Sequence, residues 1–127
     1  MTLLSINVNK FALLRNSRGT NHPNLLEMST QCIKFGAQGI TVHPRPDERH
    51  VKFSDLPYIS ELVKNQDNKI EFNIEGYPSN KFCEIIIKIK PDQVTLVPDP
   101  PEALTSSFGW DCLKYKSLLI DVVKNFQ

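Results

Sequence analysis

Apolar and polar positions alternate between two periods along this chain. Residues 3–8 (LLSINV) alternate in part and predict a first strand. Residues 10–22 (KFALLRNSRGTNH) read as a polar loop. Pro23 is suited to open a helix, with Asn21 or His22 near its cap. Leu25, Leu26, Cys32 and Ile33 form that helix's apolar stripe, and Gly36 suits its stop. Residues 38–42 (QGITV) predict a second strand, followed by a proline-stiffened loop, HPRPDERH. Ser54 or Asp55 is placed to cap a second helix, which carries Leu56, Ile59, Leu62 and Val63 on one face. Residues 71–75 (EFNIE) form a third strand. Pro78 and Ser79 then start a helix that turns Phe82, Ile85, Ile86 and Ile89 inward. Residues 93–97 (QVTLV) form a fourth strand. After the loop PDPPEALTSSFGW comes a last helix with Leu119, Val122, Val123 and Phe126 on one face.

Four strand–helix units in a row, without a hairpin signal, predict an α/β fold with a parallel sheet covered by helices. Right-handed crossovers leave a doubly wound sheet or a barrel. Neither a GxGxxG nor a P-loop follows any strand, which weakens the nucleotide-binding doubly wound option.

The polar residues concentrate at one end of this arrangement. Asn7 and Asn9 end the first strand. His43, Arg45, Arg49 and His50 follow the second, Glu75 ends the third, and Thr105 and Ser106 follow the fourth. These are C-terminal strand ends, where the loops of α/β enzymes build their sites. The opposite loops, FGAQ and IKPDQ, carry fewer candidate groups. A charged loop such as HPRPDERH is, on composition alone, as readily a solvated surface. Glu75 closes an apolar strand before a glycine, so partial desolvation would raise its pKa into the range of a general base. A structural glutamate bonded to backbone amides is the alternative. A metal bound by His43, His50 and Glu75 is a weaker reading, because no compact HxH or HExxH pair is present. Phosphate suits the arginines better, through paired guanidinium bonds.

Composition narrows the class. The chain has 127 residues, 40% of them apolar, which is enough for one core. A net charge of +1 argues against a nucleic-acid surface but not against a local anion pocket. Cys32, Cys83 and Cys112 are odd in number and form no CxxC pair, so a reducing compartment is expected, with the cysteines as small buried hydrophobes. The first residues are too short and polar for a signal peptide, and no apolar run approaches the ~20 residues of a membrane span. A soluble, cytoplasmic protein is expected.

The blocks INVNKFALLRNSRGT, GAQGITVHPRPDERH, FNIEG, QVTLVPD and ALTSSFGWD occur in this order. Together they resemble the pyridoxine 5'-phosphate synthase family along the whole chain. The resemblance implies a (β/α)₈ TIM-type barrel, of which residues 1–127 are the N-terminal half with about four β-α units, assembled in the family as an octamer. It implies condensation of 3-amino-2-oxopropyl phosphate with 1-deoxy-D-xylulose 5-phosphate to pyridoxine 5'-phosphate, phosphate and water, with no metal or organic cofactor. By match of position, it makes His43 and Glu75 acid–base residues. Asn7 and Arg18 become contacts to the amino-oxopropyl phosphate. Arg45, His50 and Thr105 become contacts to deoxyxylulose phosphate. Asn9 and Lys10 fall among the substrate contacts, although many members carry Asp-His there. The family's remaining histidine proton donor and late glycine-rich phosphate loops have no counterpart in these 127 residues. The chain is therefore expected to be a truncated product, a piece of a longer gene, or a half that assembles with another half. By itself it is expected to show little synthase activity. A non-catalytic phosphate-binding or assembly half-barrel is the alternative.

Overall fold

The computed structural model describes residues 2–99, 103 and 108–127. Four strands, β1 (Ser5–Asn7), β2 (Gly39–Val42), β3 (Glu71–Gly76) and β4 (Gln93–Leu96), form one parallel sheet in sequence order. The register sets Asn7 beside Thr41, Thr41 beside Asn73, and Glu75 beside Thr95. A doubly wound sheet reverses its strand order at a switch point. The unbroken order β1-β2-β3-β4 is instead that of consecutive units of a (β/α)₈ barrel.

The two faces of the sheet differ because side chains alternate along each strand. Ile40, Val42, Phe72 and Ile74 point to one face and are fully or almost fully buried. They join Ala12, Leu25, Ile59, Val63, Phe82 and Ile86 of the helices in a single core. The other face carries a chain of hydrogen bonds across all four strands. Ser5 Oγ lies 2.8 Å from Thr41 Oγ1, Asn73 Nδ2 donates to Thr41 Oγ1 at 3.3 Å, and Thr95 Oγ1 donates to Asn73 Oδ1 at 3.0 Å.

The predicted helices form with adjusted ends. In α2 (Leu25–Lys34) the cap is Asn24, not Asn21 or His22; its Oδ1 accepts the Leu26 and Glu27 N–H groups at 2.9 and 3.0 Å. Gly36, at φ 101°, follows its end. A 3-10 turn (Phe53–Asp55) leads into α3 (Leu56–Lys64). Neither Ser54 nor Asp55 caps α3 through its side chain. The Asp55 carboxylate is taken by the Lys52 N–H and by Arg15. In α4 (Asn80–Ile89) Ser79 caps as expected, accepting from the Phe82 N–H, and Phe82 and Ile86 are buried. In α5 (Lys116–Phe126) Val122 is buried, but Val123 is 45% exposed, because this last helix packs mainly against α4. Strand β1 is shorter than residues 3–8, with Leu3 and Leu4 exposed. Cys32 and Cys83 are half-buried and Cys112 is exposed, so burial of all three does not hold.

The larger correction is α1 (Asn9–Arg18), a helix where the sequence reads as a polar loop. Only Val8, Ala12 and Phe11 of this stretch reach the core, while Leu13 and Leu14 face outward, so no apolar stripe marks it. Its ends are set by polar groups. Asn7 Oδ1 accepts the Asn9 N–H at 2.9 Å, and Gly19 closes it at φ 65° with its N–H on the Asn16 carbonyl.

Gly76 ties the fold to the site, since it follows Glu75 directly. A Cβ at this position would run into the Phe82 ring, which is almost wholly buried in the core. Gly76→Ala must therefore push Phe82 off its packing and is expected to cost about 1–3 kcal/mol. Urea unfolding of the two proteins checks this; an unchanged midpoint would show that Phe82 can turn away freely.

Candidate active site

The C-terminal strand ends bring the polar residues together. Asn7 closes β1, and its Nδ2 donates to Glu75 Oε2 at 3.4 Å. Asn9 opens α1 and receives the His43 backbone N–H on Oδ1 at 2.9 Å. His43 follows β2 and is buried. Its ring centroid lies 6.0 Å from that of His50.

HPRPDERH divides into two parts. Residues 43–45 are buried, whereas Pro46 and Asp47 are exposed, so the solvated-surface reading holds only for the tip. Arg45 is 4% exposed; its Nη1 lies 3.8 Å from Asp99 Oδ2 and its Nη2 donates to the Ala103 carbonyl at 2.6 Å. Arg49 Nη1 donates to the same carbonyl at 3.2 Å, and its Nη2 pairs with Asp47 at 2.6 Å. Both arginines thus converge on the Ala103 carbonyl. Thr105 itself lies outside the described residues.

The end of HPRPDERH is held by α1. Asn16 Nδ2 lies 3.2, 3.2 and 2.7 Å from the carbonyl oxygens of Glu48, Arg49 and His50. Arg15 makes a two-bond pair with Asp55, 2.9 Å each, at the start of α3. Lys10 is exposed but close enough to His50 to act on its charge. Arg18 is not brought to the cluster: it sits exposed in the last turn of α1, some 13 Å along the helix from Asn9.

Asp99 and Asn16 are functional candidates the sequence reading gave no role. Both stand in the quoted blocks, but nothing local shows that Asp99 faces Arg45 or that Asn16 faces a loop more than thirty residues away. A cavity of about 720 Å³ opens beside the cluster, lined by His43, Arg45, Asp99, Tyr77, Trp110 and Tyr115. Trp110 stacks on Tyr77 at 5.9 Å, meets Tyr115 edge-on at 5.4 Å, and donates its indole N–H to the Leu96 carbonyl. Among the described residues no group of three His, Cys, Asp or Glu side chains is close enough to hold a metal ion.

Electrostatics separate the titratable groups. Burial, reinforced by Arg45 and His50, pushes the His43 imidazole down from 6.5 to about 4, with Asp99 opposing. Burial, then Arg45 and Arg49, lowers His50 as well. Glu75 is moved the other way, raised by burial and then by the Asp99 charge. At neutral pH His43 is therefore an uncharged proton acceptor, beside a carboxyl group that holds its proton longer than usual.

An imidazole with a folded pKa near 4 binds its proton less readily folded than unfolded. Its stabilising contribution is full above about pH 6.5 and is lost as pH falls from there toward 4. Glu75 acts in the opposite sense, since its folded carboxyl binds the proton more tightly, and its contribution fades as pH rises past 4.5. NMR titration should find the His43 ring neutral at pH 5.5, and His43→Asn should flatten the loss of stability between pH 6.5 and 5. A His43 midpoint near 6.5 would contradict this environment.

The family model described as pyridoxal phosphate biosynthesis protein PdxJ matches residues 4–127. A pyridoxine 5'-phosphate synthase of Parabacteroides distasonis is 54% identical over 124 residues, covering 95% of this chain and 50% of that protein. That of Cytophaga hutchinsonii is 49% identical over 127 residues, covering 100% of this chain and 51% of its own length. That of Flavobacterium johnsoniae is 49% identical over 127 residues, covering 100% and 52%. The chain thus spans about half the length of these relatives. With a match that runs from just before β1 to just beyond α5 and takes in every residue of the cluster, the chain belongs to the pyridoxal phosphate biosynthesis protein PdxJ family.

Proposed function

We propose that this chain carries the first half of a pyridoxine 5'-phosphate synthase active site, condensing 3-amino-2-oxopropyl phosphate with 1-deoxy-D-xylulose 5-phosphate. The observation that carries the proposal is the joint placement of His43, neutral at physiological pH, and Glu75, with its raised pKa, around a loop bearing Arg45, Arg49 and His50. Ring closure followed by dehydration needs repeated proton transfers between fixed donors and acceptors. His43 accepts a proton and Glu75 exchanges one on the neighbouring strand end, each in the role its environment favours.

The two phosphorylated substrates need separate anion clamps. Arg45 and His50, with Thr105, take deoxyxylulose phosphate; Asn7, which stands beside Glu75, takes the amino-oxopropyl phosphate. Asn9 and Lys10 stand where many relatives have Asp-His. Asn9 keeps an oxygen acceptor, which here receives the His43 N–H, and Lys10 adds a positive charge near His50. The reaction as proposed needs neither metal nor organic cofactor, and the protein acts in the cytoplasm as a homo-oligomer, octameric when full-length. No helix among the described residues is long and apolar enough to cross a membrane.

Two experiments test this reading. In calorimetric titration of the 127-residue chain with deoxyxylulose phosphate, Arg45→Ala should weaken binding about ten- to hundred-fold, as expected for losing charge-assisted hydrogen bonds. Equal affinity would refute the clamp. In a full-length protein carrying this sequence, Glu75→Gln should lower turnover by about two to four orders of magnitude. Thermal stability should change little, because the amide fills the same space. Near-normal turnover would remove Glu75 from the mechanism.

A further inference from the structure

We propose that Asn16 is a positioning residue of the anion-binding loop: one amide NH₂ gathers three successive carbonyls and so fixes where His50 and Arg49 stand. The inference rests on the reading that this loop binds the deoxyxylulose phosphate. Asn16 itself lies on the far side of the loop from the cavity and acts only through its backbone.

An amide group has two hydrogens, and here they serve the carbonyls of Glu48, Arg49 and His50 at 3.2, 3.2 and 2.7 Å. The orientation of the amide is settled by its other end, where Asn16 Oδ1 accepts from Arg15 Nε at 3.1 Å. Turned round, the oxygen would face three acceptors. Three consecutive carbonyls seldom converge, because an extended chain points them alternately to opposite sides. The convergence is allowed by Glu48, which has φ 52°, a left-handed bend uncommon for a residue with a side chain. Glu48 is fixed there from both sides: its N–H donates to the Arg45 carbonyl at 2.9 Å, and its Oε1 receives the Phe53 N–H at 2.9 Å.

The same helix holds the other end of the loop, since Asn9 receives the His43 N–H. Between these two asparagines, α1 sets the span from His43 to His50 and with it the 6.0 Å separation of the rings. Removing the Asn16 amide would release three carbonyls and let the Glu48 bend relax. The His50 ring would then leave the partly buried place it shares with His43, Arg45, Arg49, Asp47 and Lys10.

The test compares the wild-type chain with Asn16→Ala, with Asn16→Asp, which keeps the shape but replaces the donor by an acceptor, and with Val63→Ala. Val63 is a buried core residue of α3 outside the loop and serves as a control for lost stability. Melting temperature, affinity for deoxyxylulose phosphate by calorimetry and the His50 imidazole midpoint by NMR are read on each. Both Asn16 variants should bind at least tenfold more weakly, and their His50 midpoint should rise toward the ordinary 6.5. Val63→Ala should melt lower yet keep the wild-type affinity and midpoint. Asn16 variants with wild-type affinity and an unmoved His50 midpoint would overturn the proposal, as would a control that loses as much as they do. If the wild-type chain binds no deoxyxylulose phosphate, the substrate reading falls, and the His50 midpoint alone still decides whether Asn16 positions the loop.

Discussion

Arg45 sits at the end of β2 with its guanidinium almost wholly removed from water. An isolated buried charge of this kind costs several kcal/mol and persists only with partners. Here Asp99 supplies a carboxylate from the end of β4, and Ala103 a carbonyl from the loop beyond. The neighbouring groups adjust to this pair. Burial first and the Arg45 charge second lower the His43 pKa, while burial first and the Asp99 charge second raise that of Glu75. A neutral imidazole and a carboxyl group with a raised pKa therefore stand on neighbouring strand ends, set first by burial and then by this ion pair.

The sheet positions these groups through its polar face. Barrel interiors are commonly filled by layers of branched apolar side chains. In this half, the corresponding face carries Ser5, Thr41, Asn73 and Thr95 joined by side-chain hydrogen bonds. Each bond crosses from one strand to the next, so the parallel register is held by side chains as well as by the backbone. One step further along the same face stand Asn7, His43 and Glu75. Their separation follows from that register and from the two-residue alternation of the strands.

Helix α1 supplies what the strands cannot. The loop of ten residues between β2 and the next helical turn has few apolar contacts of its own to order it. Asn9 and Asn16 tie its two ends to one rigid element, and Arg15 anchors that element to the start of α3 through Asp55. The helix contributes little to the core and much to the placement of charged side chains.

The alternation of strands and helices is legible in the amino-acid order alone, because burial against a sheet imposes periods of two and 3.6 that survive in Ile40, Val42, Phe72, Ile74 and in Ile59, Val63, Phe82, Ile86. That order also placed Asn7, His43, Arg45, His50 and Glu75 at one end of the sheet, since the ends of strands follow directly from their order in the chain. It did not show α1, whose inward contacts are few and whose ends rest on Asn7 and Gly19 rather than on an apolar stripe. Nor did it show that Asp99 pairs with Arg45, or that Asn16 gathers the carbonyls of residues 48–50. Those contacts join residues between thirty and sixty positions apart, and only the parallel register and the path of α1 bring them together. Arg18 marks the same limit from the other side: the motif points to it, but the described fold leaves it at the far end of its helix, because a helix spreads neighbours in sequence along 1.5 Å steps away from the site.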